Sequence, residues 1–154
     1  MNTNNNPNMN TKKLKTQLKE AFEVQGFRYF LNVSNHTVLS YPNNEAWVDS
    51  ASNAKEWDLV TNDPEHYLEI PKLSKRELYI MMEDFTETVG NKYTQSLLMK
   101  ALGNRVPFIN FQNVVKENDL MKDWLFYKSM RLDEIVHQWL TENTTTNNRV
   151  QESL

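Results

Sequence analysis

A succession of apolar stripes at helical spacing fills residues 74 to 140 and constrains the fold more than any other feature of this chain. Ser74 and Glu77 form a capping box ahead of the first stripe. Pro107 lies where the first residue of a later helix belongs, and Asp119 can cap the last one. About four helices are therefore predicted, joined by short polar segments that make them antiparallel neighbours. Their inward-facing residues are predicted to be Leu78, Met81, Met82, Phe85 and Val89, then Tyr93, Leu97, Leu98, Ala101 and Leu102, then Phe108, Phe111, Val114 and Val115, and finally Leu120, Trp124, Tyr127, Leu132, Ile135, Val136, Trp139 and Leu140.

The first part of the chain predicts one helix and a small sheet. The helix is marked by four apolar residues at helical spacing: Leu14, Leu18, Ala21 and Phe22. Gly26 lies where a left-handed cap would end it. Residues 27–33 and 37–41 are rich in aromatic and β-branched residues and predict a hairpin, and a short strand at 67–70 stops at Pro71. The predicted fold class is α+β, with a small antiparallel sheet packed with an N-terminal helix and a C-terminal set of about four helices.

Both ends of the chain are expected to be disordered. Residues 1–10 contain six asparagines, and residues 143–154 are similarly polar. Such tracts bury too little apolar surface to offset the entropy lost on ordering. One globular domain is predicted over residues 11–142.

Composition excludes several functional classes. The absence of cysteine rules out disulfides, zinc–thiolate sites and thiol catalysis. No segment approaches the roughly 18 apolar residues that a membrane span requires, and no secretory signal is evident, so a cytoplasmic protein is expected. The net charge of −3 argues against nucleic-acid binding, because phosphate contacts usually accompany a basic excess.

An acidic, tryptophan-containing segment follows the hairpin. Lys55 is the one cation among residues 42–69, against seven acids. We hypothesise that Trp47 and Trp57 bind a partner protein, which would then be basic. The alternative is that both rings cover the sheet or the first helix. The pattern does not predict the arrangement of residues 43–66.

Four charged residues suggest a ligand site. Glu83, Asp84 and Glu87 cluster on one predicted helix, and close carboxylates can separate their pKa values for acid–base work. Arg105 precedes a helix start, where a guanidinium can bind phosphate or a carboxylate. The structural alternative is a solvated acidic face, with Asp84 pairing internally with Arg105.

No metal, cofactor or catalytic residue is predicted. Glu134 and His137 match the Glu-x-x-His pattern of carboxylate-bridged di-metal bundles, but such a site needs two of these motifs and further glutamates. The chain also has no phosphate-binding glycine loop, nucleophile elbow or His-Glu-x-x-His motif.

Several landmarks together resemble an uncharacterised bacterial protein family, UPF0158. They are the hairpin around Tyr29 to Leu39, Glu83-Asp84-Phe85, Arg105-Val106-Pro107-Phe108-Ile109-Asn110-Phe111, Trp124-Leu125-Phe126 and Trp139-Leu140. The likeness covers roughly residues 27–40 and 67–141. It implies a bacterial origin and supplies no activity, partner or active site.

The sequence therefore favours a non-enzymatic protein-interaction or regulatory module. The alternative is a small-ligand-binding protein or enzyme with a pocket around Arg105 and the carboxylates of Glu83, Asp84 and Glu87. A deep pocket that collects these four side chains would favour the alternative, whereas an exposed aromatic patch bordered by acids would favour the interaction module.

Overall fold

The computed structural model describes the backbone of residues 7–43 and 51–152 and the side chains of residues 11–43 and 55–143. Within these ranges it contains six helices and three strands, which confirms the α+β class. In chain order they are α1 (Pro7–Glu23), β1 (Phe27–Asn32), β2 (Val38–Pro42), α2 (Ala51–Asn62), β3 (Tyr67–Ile70), α3 (Lys75–Thr88), α4 (Lys92–Leu102), α5 (Pro107–Glu117) and α6 (Met121–Glu152).

The chain divides into two compact units, which we call the sheet unit and the helical unit. The sheet unit comprises residues up to 72 and from 136 onward, and the helical unit comprises residues 73–135. Two compact units can still unfold as one, so the single domain predicted over residues 11–142 stays a prediction.

The terminal helices reach further than the sequence predicted. α1 begins at Pro7 and α6 continues to Glu152. Residues 1–6 and 153–154, and the side chains next to them, lie outside the described residues. The predicted disorder of residues 1–10 and 143–154 therefore stays a prediction.

The three strands form an antiparallel sheet with β1 in the centre, in the order β2-β1-β3. Successive residues of a strand point to opposite faces. Tyr29 and Leu31 lie on one face, and Arg28 and Phe30 lie on the other. Tyr29, Phe30 and Leu31 are all buried, so both faces of β1 are covered, which accounts for its aromatic composition.

Lys72 fixes the end of α1 against the sheet. Its ammonium donates to the Ala21 carbonyl at 2.9 Å and also to the carbonyl of Val24, and it lies 4.4 Å from the centre of the Tyr29 ring. These are carbonyls that a helix C-terminus leaves without a partner inside the helix. Burial lowers the pKa of Lys72, so this side chain is partly desolvated. Gly26 has a φ of +90°, the left-handed region that the sequence predicted for it.

Sequence signals located three boundaries of the helical unit. The Glu77 amide donates to the Ser74 hydroxyl at 3.0 Å, which confirms the cap of α3. Pro107 is the first residue of α5, as predicted, and Gly103 is the C-cap that follows the last residue of α4.

The predicted role of Asp119 was wrong. Its φ of +57° puts it in the left-handed region after α5. Its amide donates to the Lys116 carbonyl at 3.3 Å, and the amide of Leu120 donates to the Val115 carbonyl at 2.9 Å. This is the Schellman pattern that ends a helix, so Asp119 closes α5 rather than capping α6.

An aromatic cluster lies in the core of the helical unit. The rings of Phe85, Phe111 and Trp124 pack edge to face, with centroids 5.1 to 6.3 Å apart. All three side chains are buried, as their spacing predicted. Tyr93 was also predicted to face inward, and this was wrong, since 72% of it is exposed.

Candidate functional site

A groove between α3 and α4 of the helical unit collects two of the predicted ligand residues, Glu83 and Glu87. Met81, Met82 and Phe85 face the core, so Glu83 and Glu87 fall on the exposed side of the same helix, four residues apart. The groove has a volume of about 120 Å³. Its lining consists of Tyr79, Glu83, Thr86, Glu87, Gln95, Met99 and Leu102.

Hydrogen bonds between side chains and the backbone fix the shape of this groove. The Tyr79 hydroxyl donates to the Leu102 carbonyl at 3.2 Å. The Gln95 amide donates to the Thr86 carbonyl, also at 3.2 Å. Both bonds join α3 to α4, so the groove is held in shape by the packing of the two helices.

Asp84 and Arg105 do not belong to the groove. The Asp84 carboxylate accepts from the Arg131 guanidinium at 2.7 Å, and the same guanidinium nitrogen donates to the Tyr127 hydroxyl at 2.9 Å. The hydrogen bond to Asp84 raises the pKa of Arg131. The predicted internal partner of Asp84 was therefore wrong, because Arg131 takes the place assigned to Arg105. Arg105 is exposed in the segment between α4 and α5.

Trp57 anchors α2 to the sheet. Its ring lies 4.8 Å from that of Tyr41, and the Arg28 guanidinium lies 5.3 Å from its centre. Arg28 also donates two hydrogen bonds to the Glu69 carboxylate, at 2.7 and 3.0 Å. This contact lowers the pKa of Glu69 and raises that of Arg28. Trp57 thus has the packing role given above as the alternative, and its partner-binding role stays a prediction.

Trp47, the other predicted partner-binding residue, lies outside the described residues. The acidic segment around it becomes helical from Ala51 to Asn62. At the end of this segment the Asp63 carboxylate contacts the His66 ring at 2.6 Å, and this hydrogen bond raises the pKa of His66.

The helical unit also exposes large apolar side chains that the sequence reasoning did not single out. On α6, Phe126 is 67% exposed, and Leu125 and Met130 are exposed beside it. Phe126 and Met130 are four residues apart and are therefore neighbours on one helix face. The sequence reasoning did not predict that Phe126 is exposed. Its position, two residues after the buried Trp124, is about 200° around the helix and is the signal that could have found it.

The described part of the chain has neither a cluster of metal-ligating side chains nor a helix that could span a membrane. No three metal-ligating side chains lie close together there. Glu134 is 4.0 Å from Arg131, and His137 is exposed. None of the described helices is long and apolar enough to cross a membrane.

Comparison with known proteins places these observations in a family. The model of an uncharacterised protein family, UPF0158, matches residues 15–154, including the acidic segment and the C-terminal end for which the sequence reasoning found no counterpart. A UPF0158 protein of Pseudomonas aeruginosa is 30% identical over 129 residues, which cover 82% of this chain and 80% of that protein. No solved structure matches the chain.

Proposed function

This chain belongs to the uncharacterised protein family UPF0158, and from that premise we propose that it is a non-enzymatic protein-interaction module of the bacterial cytoplasm. The helical unit would carry the docking surface. The family name itself gives no activity and no partner.

The distribution of exposed apolar side chains supports this proposal. Among the described residues, eight of the nine large apolar side chains that are exposed lie in the helical unit: Ile80, Tyr93, Met99, Val106, Ile109, Leu125, Phe126 and Met130. The ninth is Leu59 in the sheet unit. Single exposed apolar residues are ordinary, so the support comes from their concentration on one unit and from the pair Phe126 and Met130, which are neighbours on α6.

The neighbouring pair Phe126 and Met130 on α6 is the strongest part of that surface. An aromatic ring and a methionine that are neighbours on a helix supply area and adaptability at a protein contact. Burying apolar area stabilises a complex by about 25 cal/mol per Å², before the costs of association are subtracted. We therefore place the main anchor at Phe126.

The alternative, an enzyme or small-ligand-binding protein, has less support from the geometry. It requires a pocket that joins Arg105 to Glu83, Asp84 and Glu87. Only the two glutamates share a groove, whereas Asp84 pairs with Arg131.

Affinity capture with paired surface variants tests the proposal. Wild-type protein and Leu59→Ser should retain the same partner from a lysate of the native bacterium. The double variant Phe126→Ser/Met130→Ser should retain at least about tenfold less, because anchor residues at an interface dominate its affinity. Both variants change exposed positions, so each should stay within about 1 kcal/mol of the wild-type stability. Equal retention by the three proteins, or no partner for the wild type, would contradict the proposal.

A further inference from the structure

The α3–α4 groove has an apolar lining and room for one side chain. Tyr79, Met99 and Leu102 supply the apolar lining, and Met99 is 63% exposed at the rim. Its volume of about 120 Å³ is several times the space that one water molecule needs, so the groove can admit a side chain of another protein.

Among the polar side chains that line the groove, the hydrogen-bond donors are mostly used within the protein. The hydrogen-bond acceptors remain available to a ligand. The hydroxyls of Tyr79 and Thr86 already donate to backbone carbonyls, and so does the Gln95 amide. The two glutamate carboxylates can only accept when ionised. The groove is therefore complementary to a group that carries several N–H donors.

The charge of the groove points the same way. Glu83 and Glu87 are four residues apart on α3, a spacing at which like charges destabilise a helix. The ion pairs found among the described residues include neither of them. An arriving cation would relieve this repulsion and would lose less hydration at a half-open groove than in a closed core.

We infer that this groove receives a lysine or arginine side chain of the partner protein. The aliphatic stem would lie against Met99 and Tyr79, and the cationic head would bind the carboxylates of Glu83 and Glu87. Lysine and arginine side chains combine an apolar stem with a cationic head that carries several N–H donors and no acceptor. This combination complements the apolar wall and the carboxylate acceptors of the groove. The inference rests on the proposed function, since the side chain is supplied by a partner.

A titration followed by nuclear magnetic resonance of methionine methyl groups tests the groove directly. The probes are the N-acetyl methylamides of lysine, arginine and norleucine, the last having a similar stem without the charge. The Met99 methyl signal, assigned with Met99→Leu, should shift and saturate with both cationic probes in the millimolar range, near 4 kcal/mol of binding free energy. Norleucine amide should bind at least about fivefold more weakly, which corresponds to about 1 kcal/mol. The Met130 methyl lies outside the groove and should not move.

Charge variants complete the test. Glu83→Gln and Glu87→Gln should each weaken the cationic probes by at least about threefold, a value expected of one partly exposed ion pair. Glu117→Gln removes one exposed carboxylate from α5 and should leave binding unchanged. An equal response to norleucine amide, no saturating shift at Met99, or an equal shift with calcium alone would overturn the inference. If the groove fails while capture still depends on Phe126, the proposed function stands. If capture fails while the groove still binds cations, the proposed function falls instead.

Discussion

The two units of this protein differ in how many large apolar side chains they leave exposed among the described residues. In the sheet unit, Arg28 pairs with Glu69 and lies against Trp57, and Lys72 caps a helix end. In the helical unit, buried rings pack against one another, yet Phe126, Ile109 and Met99 remain exposed and two glutamates face an open groove. The sheet unit uses these groups for its own packing, whereas the helical unit leaves several apolar side chains exposed, which is why we propose that a partner binds there.

The difference has a physical origin. A small sheet is only marginally stable unless its faces are covered, so its aromatic and charged side chains pack over those faces. A group of amphipathic helices needs one apolar face per helix and leaves the opposite face unconstrained. Apolar residues on that opposite face add nothing to the core. Such residues are therefore candidates for a function other than folding.

The largest expected effect is at Trp124, in the core of the helical unit. Trp124→Ala should lower the free energy of unfolding by about 3 to 5 kcal/mol, because the loss of a buried ring leaves a cavity beside Phe85 and Phe111. Phe126→Ala, on the same helix, should cost less than about 1 kcal/mol. Urea denaturation of both variants measures the difference. Similar losses would show that Phe126 is part of the core, and the comparison between the units would fail.

A smaller effect is expected at Trp57, in the sheet unit. Trp57→Ala should cost about 1 to 3 kcal/mol, less than a fully buried tryptophan, since it loses the contacts with Tyr41 and Arg28. The exposed Leu59 of the same helix supplies the control, and Leu59→Ala should be nearly neutral. The readouts are denaturation and partner capture. If Trp57→Ala abolished partner capture without changing stability, Trp57 and the acidic segment would be the docking surface instead of the helical unit.

The smallest effect is a pKa change at His66. Its contact with Asp63 raises its pKa, so the contact contributes stability below the ordinary value near 6.5 and loses it as pH rises through the folded pKa. Asp63→Asn should lower the pKa of His66 towards 6.5, as measured by proton resonance titration. Glu65→Gln should lower it less, because the charge of Glu65 is a minor cause. An unchanged titration in Asp63→Asn would show that this pair does not form in solution.

Local signals predicted much of the fold. The strand at 67–70 ends at Pro71 as expected, and the cap at Ser74 and the turn at Gly26 depend on chemistry written in adjacent residues. Helix α2 was not predicted, because only Trp57 and Val60 among its described side chains are apolar and inward-facing, too few for a period.

The candidate site was harder to predict than the fold. The pairing of Asp84 with Arg131 joins residues 47 positions apart, and no local pattern specifies which cation a carboxylate will meet. Glu83 and Glu87 were singled out correctly as neighbours on one helix face. Their groove, however, also depends on Gln95 and Met99 of the next helix. The exposure of Phe126 could have been predicted from its position about 200° around the helix from the buried Trp124.

Photo-cross-linking tests the central claim, that the helical unit carries the docking surface, most directly. Phe126 is replaced by p-benzoylphenylalanine in the native bacterium, and Leu59 is replaced in a matched strain as an equally apolar site on the sheet unit. On irradiation, position 126 should yield one discrete cross-linked protein that position 59 does not yield. Cross-linking at position 59 alone, or at neither position while the captured partner is present, would contradict the account.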